Sequence, residues 1–264
     1  MANKYTIEPY HQGEGYVLYL GDVLEVLRAI PAESVDMAFA DPPYLLSNGG
    51  VTCKSGKFAA VNKGDWDESN GFEQDYRWHR SWLKAVRRVL KPNGTLWVSG
   101  TSHNIYLIGH AMQSLEYKIL NDIAWLKPNA PPNLSCRYFT HSHETLLWAA
   151  RSRASKHTFN YELMKAENAG RQMRSYWSFT PPKAAEKLQG KHPTQKPVAL
   201  LERIVLATTL PGDHILDPFA GSGTTGVAAV SQSRAFIGVD ECPSYLDIAS
   251  RRLDHVQCTL SIEN

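Results

Sequence analysis

Val35-Asp36-Met37-Ala38-Phe39-Ala40-Asp41-Pro42-Pro43-Tyr44 is the stretch that decides the fold: a short apolar run that stops at Asp-Pro-Pro-Tyr. Proline has no N–H to give a sheet ladder and pushes the residue before it out of the helical region, so the strand ends at Asp41. A carboxylate, a rigid turn and an aromatic ring are thereby placed at a strand's carboxyl end, the edge at which open α/β sheets bind ligands. An isolated Asp-Pro pair is an ordinary turn. The second proline, the tyrosine and a second site further along the chain take this one beyond a turn.

Upstream, Tyr16 to Leu20 is a β-rich run ending in Gly21-Asp22, and Val23 to Ile30 has helical spacing up to Pro31. Strand, helix and strand in this space predict a βαβ unit, with Asp22 and Asp41 at the carboxyl ends of neighbouring strands and facing one crevice. Downstream, Leu45 to Gly64 is a polar connection rich in Gly, Ser, Asn and Lys, including Lys54, Lys57 and Lys63. A loop of that length inside a compact domain is expected to be a lid or disordered. A helix over Phe72 to Leu90 is ended by Lys91-Pro92-Asn93-Gly94, and Thr95 to Val98 is the next buried strand. A helix over Ile105 to Leu115 and strands over Ile119 to Leu126 and Glu144 to Ala150 follow, the two strands separated by a proline-rich loop. Ser152 to Gln195 has weak periodicity and is expected to be an insertion or irregular lobe.

After Pro197 the pattern is a helix through Leu200 to Ala207, the strand His214 to Asp217, and then Asp217-Pro218-Phe219-Ala220-Gly221-Ser222-Gly223-Thr224-Thr225-Gly226 leading into another helix. A strand, a glycine turn and a helix let a ligand approach backbone amides. The strand from Arg234 to Val239 ends at Asp240, about 20 positions on, where an acidic residue is placed to accept hydrogen bonds from ribose hydroxyls. A helix over Tyr245 to Val256 closes the unit.

At 264 residues the chain has room for one large α/β domain. Cys53, Cys136, Cys242 and Cys258 show no metal-ligand spacing and read as free thiols of a reducing compartment; the ten histidines form no ligand cluster, and no metal is assigned. No apolar run approaches the length of a membrane span and the start has no signal-peptide pattern, so the expected location is the cytoplasm. The formal net charge of +2 hides an asymmetry: Lys127 to Lys196 holds 12 Lys/Arg against 4 Asp/Glu. Tyr138, Phe139, Tyr161, Tyr176, Trp177 and Phe179 lie among those cations, a mixture suited to neutralising phosphates and stacking bases. Arg137, Tyr138, Arg171 and Arg174 are the candidates for such contacts.

Gly221, Gly223 and Gly226 satisfy G-x-G-x-x-G, which makes a dinucleotide-dependent oxidoreductase an alternative. Asp217-Pro218 stands where a dinucleotide turn usually begins with its first glycine against pyrophosphate. A carboxylate repels pyrophosphate and suits a cation such as a sulfonium. S-adenosylmethionine carries a sulfonium, a free amine and a ribose. The Asp41 carboxylate and Pro42 carbonyl can hold both N–H groups of an exocyclic amine with its lone pair aimed at a methyl group, and Tyr44 can stack on a flipped base.

These residues resemble a known family. Asp41-Pro42-Pro43-Tyr44 looks like the catalytic motif of amino-methylating DNA methyltransferases, Asp217 to Thr225 like their cofactor motif, and His192-Pro193-Thr194-Gln195-Lys196-Pro197 like the segment that precedes it in the β-class order. The stretches Ser47 to Gly50, Gly64 to Asp67 and Pro132 to His141 are similar to the second methylase of DpnII-type restriction systems. The resemblance implies a Rossmann-like methyltransferase fold: a mostly parallel seven-stranded sheet in circularly permuted order, with a catalytic half at 1–126, a target-recognition region at 127–190 and a cofactor half at 191–264. It implies S-adenosylmethionine as cofactor, held by Asp22, Asp41, His192, Thr194, Gln195, Lys196, Asp217, Phe219, Gly221, Ser222, Gly223, Thr224, Thr225 and Asp240. A helix cap is an equal alternative for Asp22. The implied product is N6-methyladenine in GATC, on single- or double-stranded DNA, alongside a restriction endonuclease and with dimerisation possible within the family. N4-methylation of cytosine is the near alternative, because the catalytic motif does not choose between the bases.

Overall fold

The computed structural model describes residues 7–45, 51–54, 57–60 and 67–263, with only the backbone of 51–54, 57–60 and 261–263. Eleven strands and seven helices run in the order β1 His11–Gly13, β2 Tyr16–Leu20, α1 Val23–Ala29, β3 Val35–Ala40, β4 Val51–Lys54, β5 Lys57–Ala60, α2 Phe72–Val89, β6 Leu90–Gly100, α3 Ile105–Ser114, β7 Lys118–Leu126, β8 His143–Ala150, α4 Tyr161–Glu167, β9 Tyr176–Ser178, α5 Val198–Thr208, β10 His214–Asp217, α6 Thr224–Val230, β11 Ala235–Asp240 and α7 Pro243–Glu263. Nine strands make one sheet in the order β1-β2-β11-β10-β3-β6-β8-β7-β9. From β2 to β6 every pairing is parallel, and β8 runs antiparallel between β6 and β7. The expected seven strands are therefore present from β2 to β7 along this order, with β1 and β9 added at the two edges.

Side chains alternate across a strand, and both faces of this sheet are covered. Ala38, Ala40, Leu96 and Val98 point to the face packed by Val26 and Leu27 of α1, Trp82, Leu83 and Val86 of α2, and Ile108 and Met112 of α3. Met37, Phe39, Trp97, Ile215 and Phe236 point to the other, against Leu200 and Ile204 of α5, Ala228 and Ala229 of α6, and Leu246 and Leu253 of α7. The carboxyl ends of β2, β11, β10, β3 and β6 thus meet at one rim.

Several expectations need correction. The strands preceding Asp22 and following α1 are not neighbours: β11 and β10, from the last part of the chain, pair between β2 and β3. A parallel crossover can span intervening strands when those strands bury better there, and local sequence carries no trace of it. The Leu45 to Gly64 connection holds the antiparallel hairpin β4–β5; the rest of it, including Lys63, lies outside the described residues. Lys91-Pro92-Asn93-Gly94 does not precede β6 but is looped out within it, since Leu90 pairs with Val35 and Thr95 with Met37. Gly94 is needed in that bulge, because a Cβ there would sit 3.1 Å from the carbonyl oxygens of Val35 and Asp36. The weakly periodic 152–195 segment supplies β9 to the sheet edge, where Trp177 is buried beside Trp97 with ring centroids 5.9 Å apart. No described helix is long and apolar enough to cross a membrane, and Cys136, Cys242 and Cys258 are free thiols.

Candidate active site

The rim formed by the parallel strands opens into a cavity of about 750 Å³. Asp41, Pro42, Pro43 and Tyr44 line it from the end of β3, Asp240 from the end of β11, Pro218, Phe219 and Gly221 from the turn after β10, and His192 and Thr194 from the segment before α5. Its carboxylates are Asp41, Asp67, Glu68, Asp75, Asp240 and Glu241, and among the described lining residues there is no Lys or Arg. Such a wall suits a cation and disfavours pyrophosphate.

Asp41 is not the exposed carboxylate that its loop setting suggests. Its Oδ2 receives the ammonium of Lys196 at 2.5 Å and its Oδ1 the hydroxyl of Tyr44 at 2.7 Å. Lys196 is buried, lies 3.6 Å from Glu144, and stands 5.0 Å over the Tyr44 ring. Desolvation raises the pKa of Asp41, a shift that the Lys196 cation limits. Burial acts to neutralise Lys196, but Asp41 and Glu144 outweigh it and hold the amine above its ordinary pKa. Glu144 is likewise desolvated, yet Lys196 and Lys127 hold it below the usual carboxylate range. The Tyr44 oxygen is also 2.8 Å from Ser99 Oγ and 2.9 Å from Glu144 Oε2, and Lys127 caps the far oxygen of Glu144.

The Pro-Pro turn is fixed from both sides. Asp67 Oδ1 accepts the backbone N–H groups of Tyr44 and Leu45, each at 2.8 Å, and the Asn104 side-chain amide donates to the Pro43 carbonyl at 3.0 Å. The Pro42 carbonyl has no such protein donor among the hydrogen bonds of the described residues, consistent with a role toward ligand.

At the second site Asp240 accepts the Gly221 N–H at 2.8 Å and the Cys242 N–H at 2.9 Å, and burial raises its pKa. Gly221 has φ 49° and passes so close to His192 that a Cβ would lie 3.1 Å from the ring. Gly223 has φ 72° and serves helix packing, because a Cβ would stand 2.8 Å from that of Ala249. Asp217 lies beneath the cavity: Thr225 Oγ1 donates to it at 2.5 Å and Phe219 N at 2.9 Å, and burial pushes its pKa up to about 7.

The remaining sequence candidates divide. Ser222 and Thr224 bond to Arg252, at 3.1 Å and 2.9 Å. Gln195 donates to the Glu186 carbonyl at 2.9 Å. Asp22 caps α1 through Oδ1, accepting Leu24 N at 2.8 Å and Glu25 N at 3.0 Å. Arg137, Tyr138, Arg171 and Arg174 are all exposed; Arg174 contacts the Tyr176 hydroxyl at 3.4 Å. The side chains of Lys54 and Lys57 lie outside the described set.

Sequence reasoning missed Asp67, Ser99, Lys127 and Glu144, which are remote from Asp41 in sequence and sit in elements legible only as loop or strand. It also missed His79, a buried lining residue whose Nδ1 accepts the Trp82 N–H at 3.1 Å; desolvation lowers its pKa to about 4 and its Nε2 has no hydrogen-bond partner among the described residues. A His at helical spacing between tryptophans gives no signal for that.

Comparison with known proteins identifies the family. The DNA methylase family, comprising N6- and N4-specific enzymes, matches residues 35–251. The chain belongs to this family and is a DNA methyltransferase. It is 53% identical over 248 residues to the type II methyltransferase M2.LlaDCHI of Lactococcus lactis subsp. cremoris, covering 94% of this chain and 92% of that one. To M2.DpnII of Streptococcus pneumoniae the identity is 51% with the same coverage, and to M2.MboI of Moraxella bovis 44% over 97% of this chain and 95% of that one. Among solved structures, the M1.HpyAVI complex with S-adenosylmethionine superposes with a TM-score of 0.69 at 25% identity, covering 90% of this chain and 99% of that one. The cytosine-N4-specific PvuII methyltransferase reaches 0.74 at 20% identity, over 96% of this chain and 94% of that one, a likeness of fold alone. Family membership removes the oxidoreductase alternative.

Proposed function

We propose that the protein transfers a methyl group from S-adenosylmethionine to adenine N6 within GATC, on single- or double-stranded DNA, as the second methylase of a restriction-modification system. The observation that carries the reading is Asp41: an oriented carboxylate at the rim of an acidic cavity, followed by a turn whose two prolines and tyrosine also face that cavity. The relatives at 44–53% identity, all M2 methyltransferases, favour the DpnII-type assignment over N4-methylation of cytosine.

The cavity fits the cofactor by its chemistry. Asp240 and Glu241 offer acceptors to a ribose diol, Val23, Phe219 and Pro243 offer apolar surface to a purine, and the acidic wall favours a sulfonium. When bound, the cofactor supplies an activated methyl group. The chain's part is to position and to exclude water: Asp41 and the Pro42 carbonyl accept the two amine N–H groups, and Tyr44 presents its ring to the base. His192, Thr194, Phe219 and Gly221 are its other cofactor contacts. Ser222, Thr224 and Thr225 shape the turn through Arg252 and Asp217.

Region 127–190 recognises the target, and Lys54, Lys57, Lys63, Arg137, Tyr138, Arg171 and Arg174 meet DNA. A paired endonuclease, action in the cytoplasm and a homodimer complete the proposal. The test is methyl transfer from labelled S-adenosylmethionine to matched single- and double-stranded oligonucleotides with and without GATC, followed by nucleoside mass spectrometry. N6-methyladenine confined to GATC is the expected result; N4-methylcytosine or methylation outside GATC would overturn the target assignment.

A further inference from the structure

Methylating an amine leaves a proton to dispose of. The nitrogen lone pair forms the new N–CH3 bond, the S–CH3 electron pair stays on sulfur, and the nitrogen is left positively charged until one N–H proton departs. Asp41 is placed to take it; its side chain keeps 15% of its surface exposed, toward the cavity, and a bound base would cover that face while Lys196 and Tyr44 occupy the others. A buried carboxylate that accepts a proton in each turnover needs a way to lose it.

The surroundings of the Tyr44 hydroxyl supply one. Its oxygen lies within hydrogen-bond distance of Asp41 Oδ1 (2.7 Å), Ser99 Oγ (2.8 Å) and Glu144 Oε2 (2.9 Å). A phenol has one proton to donate, so it cannot satisfy two ionised carboxylates at once. With Asp41 ionised, the hydroxyl donates to Asp41. With Asp41 protonated, it accepts from Asp41 and turns its own proton to Glu144. We propose that Tyr44 is a proton relay, carrying the amine's proton from Asp41 to Glu144 and from there to water beside Lys127.

The step balances. Asp41 gains the proton as the N–H bond breaks; Asp41 then passes a proton to the Tyr44 oxygen while Tyr44 passes its own to Glu144, leaving Asp41 ionised and the phenol neutral. Glu144, momentarily a carboxylic acid, then gives its proton to water on its Lys127 side, while Lys127 stays an ammonium that favours the returning carboxylate. Lys127 keeps 29% of its side-chain surface exposed while Glu144 keeps 9%, so the side of Glu144 that Lys127 occupies is the one facing solvent. Held ionised by Lys196 before α5 and Lys127 after β7, Glu144 passes the proton on rather than storing it. The other charge acting on Asp41 is its partner Lys196, and Asp217 on the adjacent β10 is coupled to Asp41. Ser99 can donate to the Tyr44 oxygen or, at 3.4 Å, to Glu144, so it steadies either state.

This inference rests on the amine methylation proposed above. Its test compares wild type with Glu144→Gln and Tyr44→Phe in multiple-turnover methylation of a GATC oligonucleotide, with and without added formate or imidazole, alongside binding of S-adenosylhomocysteine and DNA. Glu144→Gln is expected to slow the turnover about 10²-fold, to regain rate with the small base, and to leave both affinities unchanged. Should that protein not fold, Tyr44→Phe carries the same expectation, since it keeps the ring and deletes only the hydroxyl. A wild-type rate, or a slow rate that no added base restores, would overturn the relay. Infrared titration of the ligand-free proteins labelled with 13C-aspartate gives a readout independent of turnover. Glu144→Gln removes a nearby negative charge and should lower the pH at which Asp41 ionises; Tyr44→Phe removes a donor and should raise it. Equal titration in all three proteins would also overturn the relay. A wild-type protein that methylates no DNA amine would refute the proposed function instead, with the titration still deciding whether the three groups are coupled.

Discussion

Two strand ends in this protein carry the same dipeptide on adjacent parallel strands and end differently. Asp41-Pro42 closes β3 and Asp217-Pro218 closes β10, and in each case proline terminates the strand and leaves the carboxylate at the carboxyl rim. At Asp41 the carboxylate meets a lysine and a phenol, faces the cavity, and keeps lone pairs for a ligand. At Asp217 it is consumed internally by Thr225 and the Phe219 amide, with no cation within salt-bridge distance among the described residues, and its pKa rises to about 7. One dipeptide in one position thus builds a cavity-facing ion pair in one strand and a turn anchor in the next. The difference lies in which side chains arrive from elsewhere in the chain.

Substitutions at these and neighbouring carboxylates should widen or close that contrast. The largest effect is expected from Asp41→Ala, which removes an acceptor of the amine and should lower methyl incorporation about 10³-fold in the oligonucleotide assay. Next is Lys196→Met. Removing one partner of a buried ion pair leaves Asp41 without its cation beside a Glu144 that keeps only Lys127, so unfolding in denaturant should show a loss of about 3 kcal/mol. Methylation should also shift to higher pH, since Asp41 would ionise later without its cation.

Asp217 should respond in the opposite sense. Its folded pKa of about 7 lies above the unfolded value of 3.8, so the native state binds more protons between those values, and stability is lost as pH rises across that window. Asp217→Asn can keep both hydrogen bonds, accepting from Phe219 and donating to Thr225. The melting temperature should therefore rise by about 4 °C at pH 8 and its fall with pH should flatten; an unchanged slope would show that Asp217 is not protonated in the native state. Asp240→Ala, which loses two backbone donors' acceptor at the cavity wall, should weaken S-adenosylhomocysteine binding on the order of tenfold by calorimetry. Asp22→Ala is expected to have the smallest effect, a cap loss of about 1 kcal/mol with cofactor affinity unchanged.

Much of this architecture was legible because it is local. Proline positions, period-two apolar runs and glycine turns marked the ends of β3, β10 and β11 and the helices between them, so Asp41 and Asp240 could be placed at a ligand-binding rim from sequence. The Lys91 to Gly94 bulge was legible as a turn but not as an interruption within β6, because a looped-out segment and a chain reversal share the same residues. Lys196 stood in a segment whose resemblance suggested cofactor contact; that it closes an ion pair with Asp41, 155 positions away, follows only from the sheet order.

By itself the sequence determined the chemistry available at the rim, since side-chain type and backbone stereochemistry are fixed residue by residue. It also determined the family, through three motifs in a defined order. Tertiary structure alone decided that β11 and β10 lie between β2 and β3, that Asp22 Oδ1 caps α1, and that Tyr44 stands among Asp41, Ser99 and Glu144. Those outcomes depend on which distant strands bury best against one another, and a desolvated carboxylate takes its ionisation state from the neighbours that such packing brings within hydrogen-bond distance.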